Sequence, residues 1–374
     1  MKRAGNLTEK IADMDNLRAA FWKASRGGAG NRCVAAFREN LEENLSAIRR
    51  EWLAGTPAPC TYSSFTIHDP KERKIHAPSF RDRVVQHAVM KVCDKVFEDA
   101  QIYDSYASRR GKGTDACLRR AAEYARRYDF FLKFDIRKYF DSVEHGVLKS
   151  ALARRFKDRT LLGYFFDVID GYEASRERGI PIGSLASQYF ANLYLARLDR
   201  FCKETLRVPG YVRYMDDFLL FFNDGARAAE ARERVPEFVE EALSLKCKPV
   251  VCNTTEHGAT FLGYRVKRRG ITLSQKSRRR FAEKMKIAGR EENSVSATSL
   301  LAFVRRAETR GLRMKMFFGH GSEGFAPRES RRELEQPRSE LPFGESRLQF
   351  AGQPQRRLGV SCLCSSEIDG YRCS

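Results

Sequence analysis

Two adjacent carboxylates, Asp216 and Asp217, lie in the middle of the apolar stretch GYVRYMDDFLLFF, which runs from Gly210 to Phe222. The flanking residues predict two short strands joined by a turn at the acids, so that both charges would project from the end of a sheet. Two like charges held on an apolar support are costly unless something positive neutralises them. A magnesium ion, which prefers carboxylate oxygens, is one partner of the right chemistry. A solvated Asp-Asp turn is the alternative interpretation of the dipeptide alone.

A third acid has the same local pattern. Asp135 ends the apolar run FFLKF just as Asp216 ends YVRYM. If the two strands are neighbours in one sheet, the three acids can form a two-metal site. Two metals about 3.5–4 Å apart stabilise both the attacking and the leaving oxygen of an in-line phosphoryl transfer.

Composition narrows the class of partner. The formal net charge of the 374-residue chain is +20, which suits a protein that neutralises phosphates, although a merely basic protein is the alternative.

The ten cysteines include no C-x2-C pair, and Cys362-x-Cys364 has no matching pair, so neither a zinc site nor a disulfide framework is expected. Reduced thiols in a cytoplasm are expected. No apolar run reaches about 18 residues, so no membrane span is predicted, and the N-terminus lacks the apolar segment of a signal peptide.

The hydrophobic periodicity predicts the order of elements along the chain. The length of 374 residues indicates two or three domains. Helices are predicted over 6–55 (interrupted at 27–32), 81–127, 146–172, 225–244 and 276–313, a loop followed by a helix over 179–201, an extended pair over 62–80 with a turn at Asp69-Pro70, and a single strand over Thr260–Val266. From about residue 318 the periodicity disappears.

Several motifs occur together in an informative order. FDIRKYFDS, GIPIGSLASQ, YMDD and FLGY follow one another as in reverse transcriptases, and ERKIHAPSFRDRVVQ and YDSYASRRGKGTDA resemble the fingers motifs of the group II intron and retron-like branch. The resemblance covers Phe65 to Val266 and is weaker beyond. It implies an α/β (α+β) fold, a right-hand polymerase with helical fingers, an antiparallel palm sheet with helices on one side, and a short helical thumb. The implied boundaries are fingers 1–128, palm 129–266 with a finger insertion around 146–180, thumb 267–317, and a tail over 318–374.

The resemblance also implies the roles of the acids. Asp135, Asp216 and Asp217 match the metal-binding carboxylates, and the Ile136 carbonyl matches a further ligand. The implied cofactor is a pair of Mg²⁺ ions, with Mn²⁺ as a substitute.

Further positions match substrate-binding residues of the family. Phe140, five residues after Asp135, corresponds to the steric gate against a ribose 2′-hydroxyl, although an aromatic there can equally be core. Arg73 corresponds to the arginine that contacts the incoming triphosphate, and its fork suits phosphate oxygens. Lys74 is a second candidate, although a surface lysine is usually only solvated.

One loop departs from the usual pattern of group II intron enzymes. Those enzymes have Gln-Gly at its start and Ser-Pro at its end, whereas this chain has Ile182-Gly183 and Ser187-Gln188. The sequence IGSLASQ resembles reverse transcriptases of diversity-generating retroelements. The loop lies under the nascent base pair in related folds, so the branched Ile182 would remove polar contacts that check base geometry. The alternative is a helix N-terminus with Ser184 as cap and Gly183 supplying the turn; both interpretations are compatible.

The retroelement resemblance implies a specific activity. Such an enzyme copies a template-repeat RNA into cDNA with errors concentrated at adenines, and the cDNA diversifies a target gene by mutagenic retrohoming. The implied partners are template RNA, cDNA, dNTPs and a small basic helical accessory protein, in a bacterial or phage-encoded, cytoplasmic setting without a membrane. Group II intron maturases, retron or phage-defence reverse transcriptases, and a non-catalytic RNA-binding protein on a decayed polymerase scaffold are the alternatives.

The tail over 318–374 has a composition that predicts disorder or overlap with the template repeat. Shifted by one base, any Glu or Gln codon followed by a codon beginning with C must encode Asn or Ser. Codon degeneracy permits Gly-Ser-Trp-Asn-Asn from 332–337 and Ser-Pro-Gly-Asn-Arg-Asn-Asp from 350–357. Such strings resemble the asparagine-rich repeats of the variable proteins in these elements, so the reading frame is expected to overrun its template repeat.

Overall fold

A computed structural model describes residues 2–26, 31–68 and 72–288, the side chains of 284–288 excepted. Helices span α1 Thr8–Ile11, α2 Met14–Ala24, α3 Arg32–Glu39, α4 Leu41–Leu53, α5 Phe80–Glu98, α6 Thr114–Arg127, α7 Tyr139–Ser142, α8 His145–Ala153, α9 Arg159–Asp170, α10 Leu185–Arg200, α11 Gly225–Leu243 and α12 Gln275–Ala288, with a π-turn over Phe201–Thr205. Strands span β1 Tyr62–Ile67, β2 Arg73–Pro78, β3 Phe130–Asp135, β4 Gly210–Tyr214, β5 Asp217–Phe222, β6 Val251–Thr254, β7 Ala259–Phe261, β8 Tyr264–Lys267 and β9 Gly270–Leu273.

The described chain divides into two compact units. Unit 1 comprises residues up to 99 and 143–190, and unit 2 comprises 100–142 and 191–288, so that the boundary falls within α10. The division into fingers, palm and thumb stays a prediction. The expected turn at Asp69-Pro70, the thumb beyond 288 and the tail over 318–374 lie outside the described residues.

The described part of unit 1 is helical apart from the strand pair β1–β2. Its core joins aromatic side chains from separate helices: Trp52 packs against Tyr164 with ring centroids 5.2 Å apart, and Phe165 against Phe190 at 5.2 Å. The antiparallel hairpin β1–β2 aligns Phe65 with Ile75 and leaves its outer residues exposed. The predicted extended pair over 62–80 is thus confirmed.

Unit 2 is built on an antiparallel sheet in the order β4-β5-β3-β6. Leu219 and Phe221 pack against α6, in a cluster that also includes Leu118 and Phe131. On the opposite face of β5, Phe218 and Leu220 are equally buried, and α11 contacts β3 and β5. The predicted antiparallel sheet is confirmed, but the expectation of helices on one side of it was wrong, because β5 is apolar at both alternating positions.

The stretch Thr260–Val266 does not form the single strand that was predicted. It folds into β7 and β8, joined at Leu262 and Gly263, whose φ angles are +50° and +85°. Glycine adopts such a left-handed conformation without steric cost, so Gly263 lets the chain reverse inside an otherwise strand-like run.

No helix among the described residues is long and apolar enough to cross a membrane.

Candidate active site

The sheet of unit 2 brings two of the three predicted acids face to face. Strands β3 and β5 pair in a register that aligns Asp135 with Asp217. Asp216 lies in the two-residue turn between β4 and β5, and its carbonyl accepts a hydrogen bond from the Ile136 N–H at 3.3 Å. Like charges directly opposite each other on neighbouring strands are destabilising, so this register is costly by itself.

Lysines partly neutralise these carboxylates. Lys133 lies two residues before Asp135, and therefore on the same face of β3. Its Nζ is 3.2 Å from Asp217 Oδ2 and donates at 2.6 Å to the Thr260 carbonyl. Lys248 Nζ is 2.5 Å from Asp135 Oδ1. Sequence reasoning missed both lysines, although a lysine within the apolar run FFLKF was a signal for Lys133.

The acids remain under electrostatic strain despite these lysines. Asp217 Oδ1 is buried and has no hydrogen-bond partner. Burial raises the pKa of Asp217 to about 7; the Lys133 ammonium opposes the shift, and the carboxylates of Asp135 and Asp216 add to it. A buried carboxylate oxygen without a partner, next to two further carboxylates, has the chemistry of a divalent cation site.

The candidate site fits a metal ion in the type of its ligand atoms, which are carboxylate oxygens. Among the described residues, no group of three or more His, Cys, Asp or Glu side chains is arranged for immediate metal coordination. Lys133 and Lys248 contact carboxylate oxygens that a metal cation would otherwise bind. That Asp135, Asp216 and Asp217 hold a divalent metal, with the adjacent backbone of the buried Ile136, stays a prediction.

Phe140 belongs to the same unit as the acids. It lies in the short helix α7, just after Lys138, whose φ of +41° bends the chain out of β3. Its ring packs edge-on against buried Tyr139 with centroids 5.7 Å apart, while the side chain itself is only half-buried. A partly exposed aromatic can contact a substrate, so the gate role stays a prediction.

The remaining predicted residues belong to unit 1. Arg73 and Lys74 are exposed at the start of β2, opposite Ile67 and Thr66 of β1. Two neighbouring cations at the end of a hairpin can bind phosphate oxygens. Their contact with a triphosphate stays a prediction.

The loop at Ile182 is attached to the same strand. The Ile182 carbonyl accepts a 2.7 Å hydrogen bond from the His76 N–H of β2. Gly183 has a φ of +113°, and a Cβ on it would lie 2.8 Å from Ile75 Cγ2 and 3.0 Å from the His76 carbonyl oxygen. The approach of loop and strand therefore requires glycine. Gln188 lies in the first turn of α10 and is half-buried.

The cap of α10 differs from the expectation. The N–H groups of Leu185 and Ala186 donate to Oε1 of Gln86, a fully buried residue of α5, at 3.0 and 3.4 Å. The Ser184 hydroxyl donates to the same oxygen at 3.1 Å. Ser184 directly precedes α10 and Gly183 supplies the turn, as predicted, but a distant side chain supplies an acceptor for the first N–H groups of the helix. Nothing local in the sequence marks Gln86 for this role.

Comparison with known protein families identifies the family of this chain. The sequence profile described as "Reverse transcriptase (RNA-dependent DNA polymerase)" matches residues 68–266. The chain therefore belongs to the reverse transcriptase family, and its enzyme class is RNA-directed DNA polymerase.

Individual relatives are distant. Protein YkfC of Escherichia coli K12 is 24% identical over 277 residues, which are 61% of this chain and 72% of YkfC. The group II intron-encoded protein LtrA of Lactococcus lactis is 24% identical over 169 residues, 43% of this chain and 28% of LtrA. A solved telomerase from Candida albicans, in complex with a fragment of telomeric RNA, has a TM-score of 0.42 at 15% identity, covering 71% of this chain and 57% of its own.

Asp217→Asn tests the strain at the acids. The pKa of Asp217 in the folded protein is about 7, above the ordinary value of a carboxyl group. Protonated Asp217 therefore stabilises the fold fully at pH values below the ordinary pKa, and this stabilisation is lost as the pH rises through about 7. Asparagine removes the cost of ionisation, so in a metal chelator at pH 8 we expect Tm to rise by roughly 2–5 °C, with little change at pH 4. Primer extension should be abolished. The exposed Asp167→Asn is the control, and an unchanged Tm at pH 8 would contradict the strained geometry.

Gly183→Ala tests the approach of the loop to β2. The added Cβ meets the His76 carbonyl at a φ that alanine adopts only with strain, so we expect a loss of about 1–3 kcal/mol in the free energy of unfolding. Gly163→Ala is the matched control, since a Cβ there meets nothing within 4 Å. Denaturant unfolding measures both variants, and equal stabilities would refute the tight packing.

Proposed function

We propose that this chain is the reverse transcriptase of a diversity-generating retroelement. It copies a template-repeat RNA into cDNA with errors concentrated at adenines, and this cDNA replaces a variable repeat in a target gene. The observation that carries the proposal is the loop Ile182–Gln188, whose sequence resembles those enzymes and whose start is attached to β2 by a main-chain hydrogen bond. Template RNA, dNTPs and a small basic helical accessory protein are its proposed partners, in the cytoplasm of a bacterium.

The proposed chemistry assigns a task to each group. Asp135, Asp216 and Asp217 would hold Mg²⁺, or Mn²⁺ in its place. The bound ions would supply electrostatic stabilisation of the attacking and leaving oxygens in phosphoryl transfer. Phe140 would exclude a ribose 2′-hydroxyl by steric contact. The Arg73 guanidinium, aided by Lys74, would bind and orient the triphosphate.

Infidelity would follow from the side chain at the start of the loop. Ile182 is half-buried, and its carbonyl is committed to the His76 N–H. An isoleucine side chain presents neither donor nor acceptor, whereas a glutamine at this position can hydrogen-bond a base or a template group. Loss of a polar check weakens discrimination between matched and mismatched pairs.

A group II intron maturase is the second candidate function. It is favoured by the similarity to LtrA, described as a group II intron-encoded protein. The loop sequence argues against it, because Ile182-Gly183 and Ser187-Gln188 replace the Gln-Gly and Ser-Pro of those enzymes. Splicing of a flanking intron RNA by the protein would favour this candidate.

Ile182→Gln tests the fidelity proposal. We expect misincorporation opposite template adenine to fall about 10-fold, and more than opposite the other bases, because a polar contact to the nascent pair is restored. Sequencing of cDNA made on one RNA template by variant and parent measures the error spectrum. Ile182→Val, which stays apolar, is the control and should retain the parent's spectrum. An unchanged spectrum in Ile182→Gln would place the cause of infidelity elsewhere.

Removal of residues 331–374 tests the overlap with a template repeat. The tail has too little apolar periodicity to offset the entropy of ordering it, so we expect primer extension within about twofold of the parent. The coding DNA should carry AAC-rich codons in the +1 frame, with a near-copy in a neighbouring gene that differs mainly at adenines. A longer truncation from Gln275 removes α12, whose Phe281 is buried in unit 2, and should inactivate the protein. If the short truncation loses activity and no second DNA copy exists, the proposed overlap with a template repeat is wrong.

A further inference from the structure

Arg213 is a fully buried charge in unit 2 that the proposed chemistry leaves unused. It lies in β4, three residues before Asp216, and both it and its ion-pair partner Asp199 of α10 are 0% exposed. We propose that Arg213 is a positioning residue that fixes the turn carrying Asp216 and Asp217. This inference rests on the proposed polymerase function of those acids.

The guanidinium is completely surrounded by acceptors. Its Nε and Nη2 bind the two carboxylate oxygens of Asp199 at 2.6 Å each, in a bidentate fork. Nη1 donates to Asn192 Oδ1 at 3.1 Å, and Nη2 donates to Gln101 Oε1 and Ser105 Oγ at 3.2 and 3.1 Å. Nε, Nη1 and Nη2 thus each have at least one acceptor, and the two N–H groups of Nη2 face three, around a rigid planar donor.

One further bond links this cluster to the turn. Nη1 of Arg213 also donates at 3.1 Å to the carbonyl of Met215. Met215 has a φ of +57°, a left-handed conformation that is unfavourable for a residue with a side chain. The next carbonyl, that of Asp216, accepts from the Ile136 N–H. The turn is therefore fixed from two sides, by Arg213 and by the residue that follows Asp135.

The cluster is itself anchored within unit 2. The Tyr211 hydroxyl donates to Asp199 Oδ1 at 2.6 Å. The Arg213 N–H donates to the Asp104 carbonyl, and the Tyr106 N–H donates to the Arg213 carbonyl, each at 2.9 Å. The turn is thereby connected to α10 and to the segment 101–106.

Stability alone does not account for such a pair. Replacing a buried ion pair with neutral groups is often neutral or stabilising, because desolvation offsets the Coulombic attraction. What only the arginine supplies is a rigid fork that contacts Asp199 and the Met215 carbonyl at once. Lysine has the charge but not this geometry.

The central test removes both charges together. Arg213→Met with Asp199→Asn leaves no unpaired charge and keeps an oxygen that accepts from Tyr211. We expect this double variant to melt within about 5 °C of the parent. Its kcat for primer extension should fall ~100-fold because the carboxylates are misplaced. KM for dNTP should stay within about threefold, as for an interaction that acts on the chemical step.

Hydrogen exchange provides a readout that needs no activity. The amides of 215–218 should exchange faster in the double variant, while those of β3 keep the parent's protection. If the parent protein itself fails to extend primers, the proposed function falls, and this exchange experiment still decides whether Arg213 fixes the turn.

Two further variants separate positioning from folding. Arg213→Lys keeps the charge and should melt near the parent temperature with a reduced kcat, which protects the test if the double variant does not fold. Arg268→Met is the matched control, because Arg268 is ion-paired in the same unit but with Asp129 and Glu256, outside the network of Arg213. It should retain the parent's kcat. A double variant with parental kcat and parental exchange at 215–218 would overturn the proposal, as would Arg213→Lys with parental kcat.

Discussion

The antiparallel pairing of β3 with β5 is the constraint on which the candidate site depends. Its register aligns Asp135 with Asp217 and brings the Asp216 turn to the same end of the sheet. The apolar residues of both strands stabilise this register, although it concentrates negative charge. Phe134 stacks on Phe218 with centroids 4.9 Å apart, directly beside the acids. A one-residue slip would separate Phe134 from Phe218 as well as Asp135 from Asp217, so this stacking opposes a slip that would separate the carboxylates.

The charge problem created by this register is met in part by two lysines. Lys133 and Lys248 approach the carboxylates directly, whereas the charge of Arg213 is paired with Asp199 and its guanidinium contacts the turn at the Met215 carbonyl. The raised pKa of Asp217 indicates that the lysines do not fully compensate its burial. Negative charge that remains uncompensated at the end of a sheet is typical of a site that binds a divalent cation together with a phosphate-bearing substrate.

Unit 1 positions its candidate substrate-binding residues by a comparable principle. Gln86, buried in α5, accepts hydrogen bonds from the first turn of α10, and His76 of β2 binds the Ile182 carbonyl. Both contacts use polar groups on rigid elements to fix a loop that would otherwise be free to vary. The family match shows a reverse transcriptase, and the sequence of this loop is the basis of the proposal of error-prone copying.

Short-range information in the sequence determined much of this protein. Period-2 patterns and paired acids predicted β3, β4 and β5, the turn at Asp216, and three acids with metal-binding chemistry. Local sequence pattern failed to predict two features: Gly263 splits a strand-like run, and Gln86 of α5 accepts from the first N–H groups of α10. The partners of Arg213 are likewise brought together from 101–105, 192–199 and 215. A polar side chain in an apolar strand shows only that some partner must exist. Which residue supplies it depends on tertiary packing, because hydrogen bonds and ion pairs act between atoms that only the folded chain brings together.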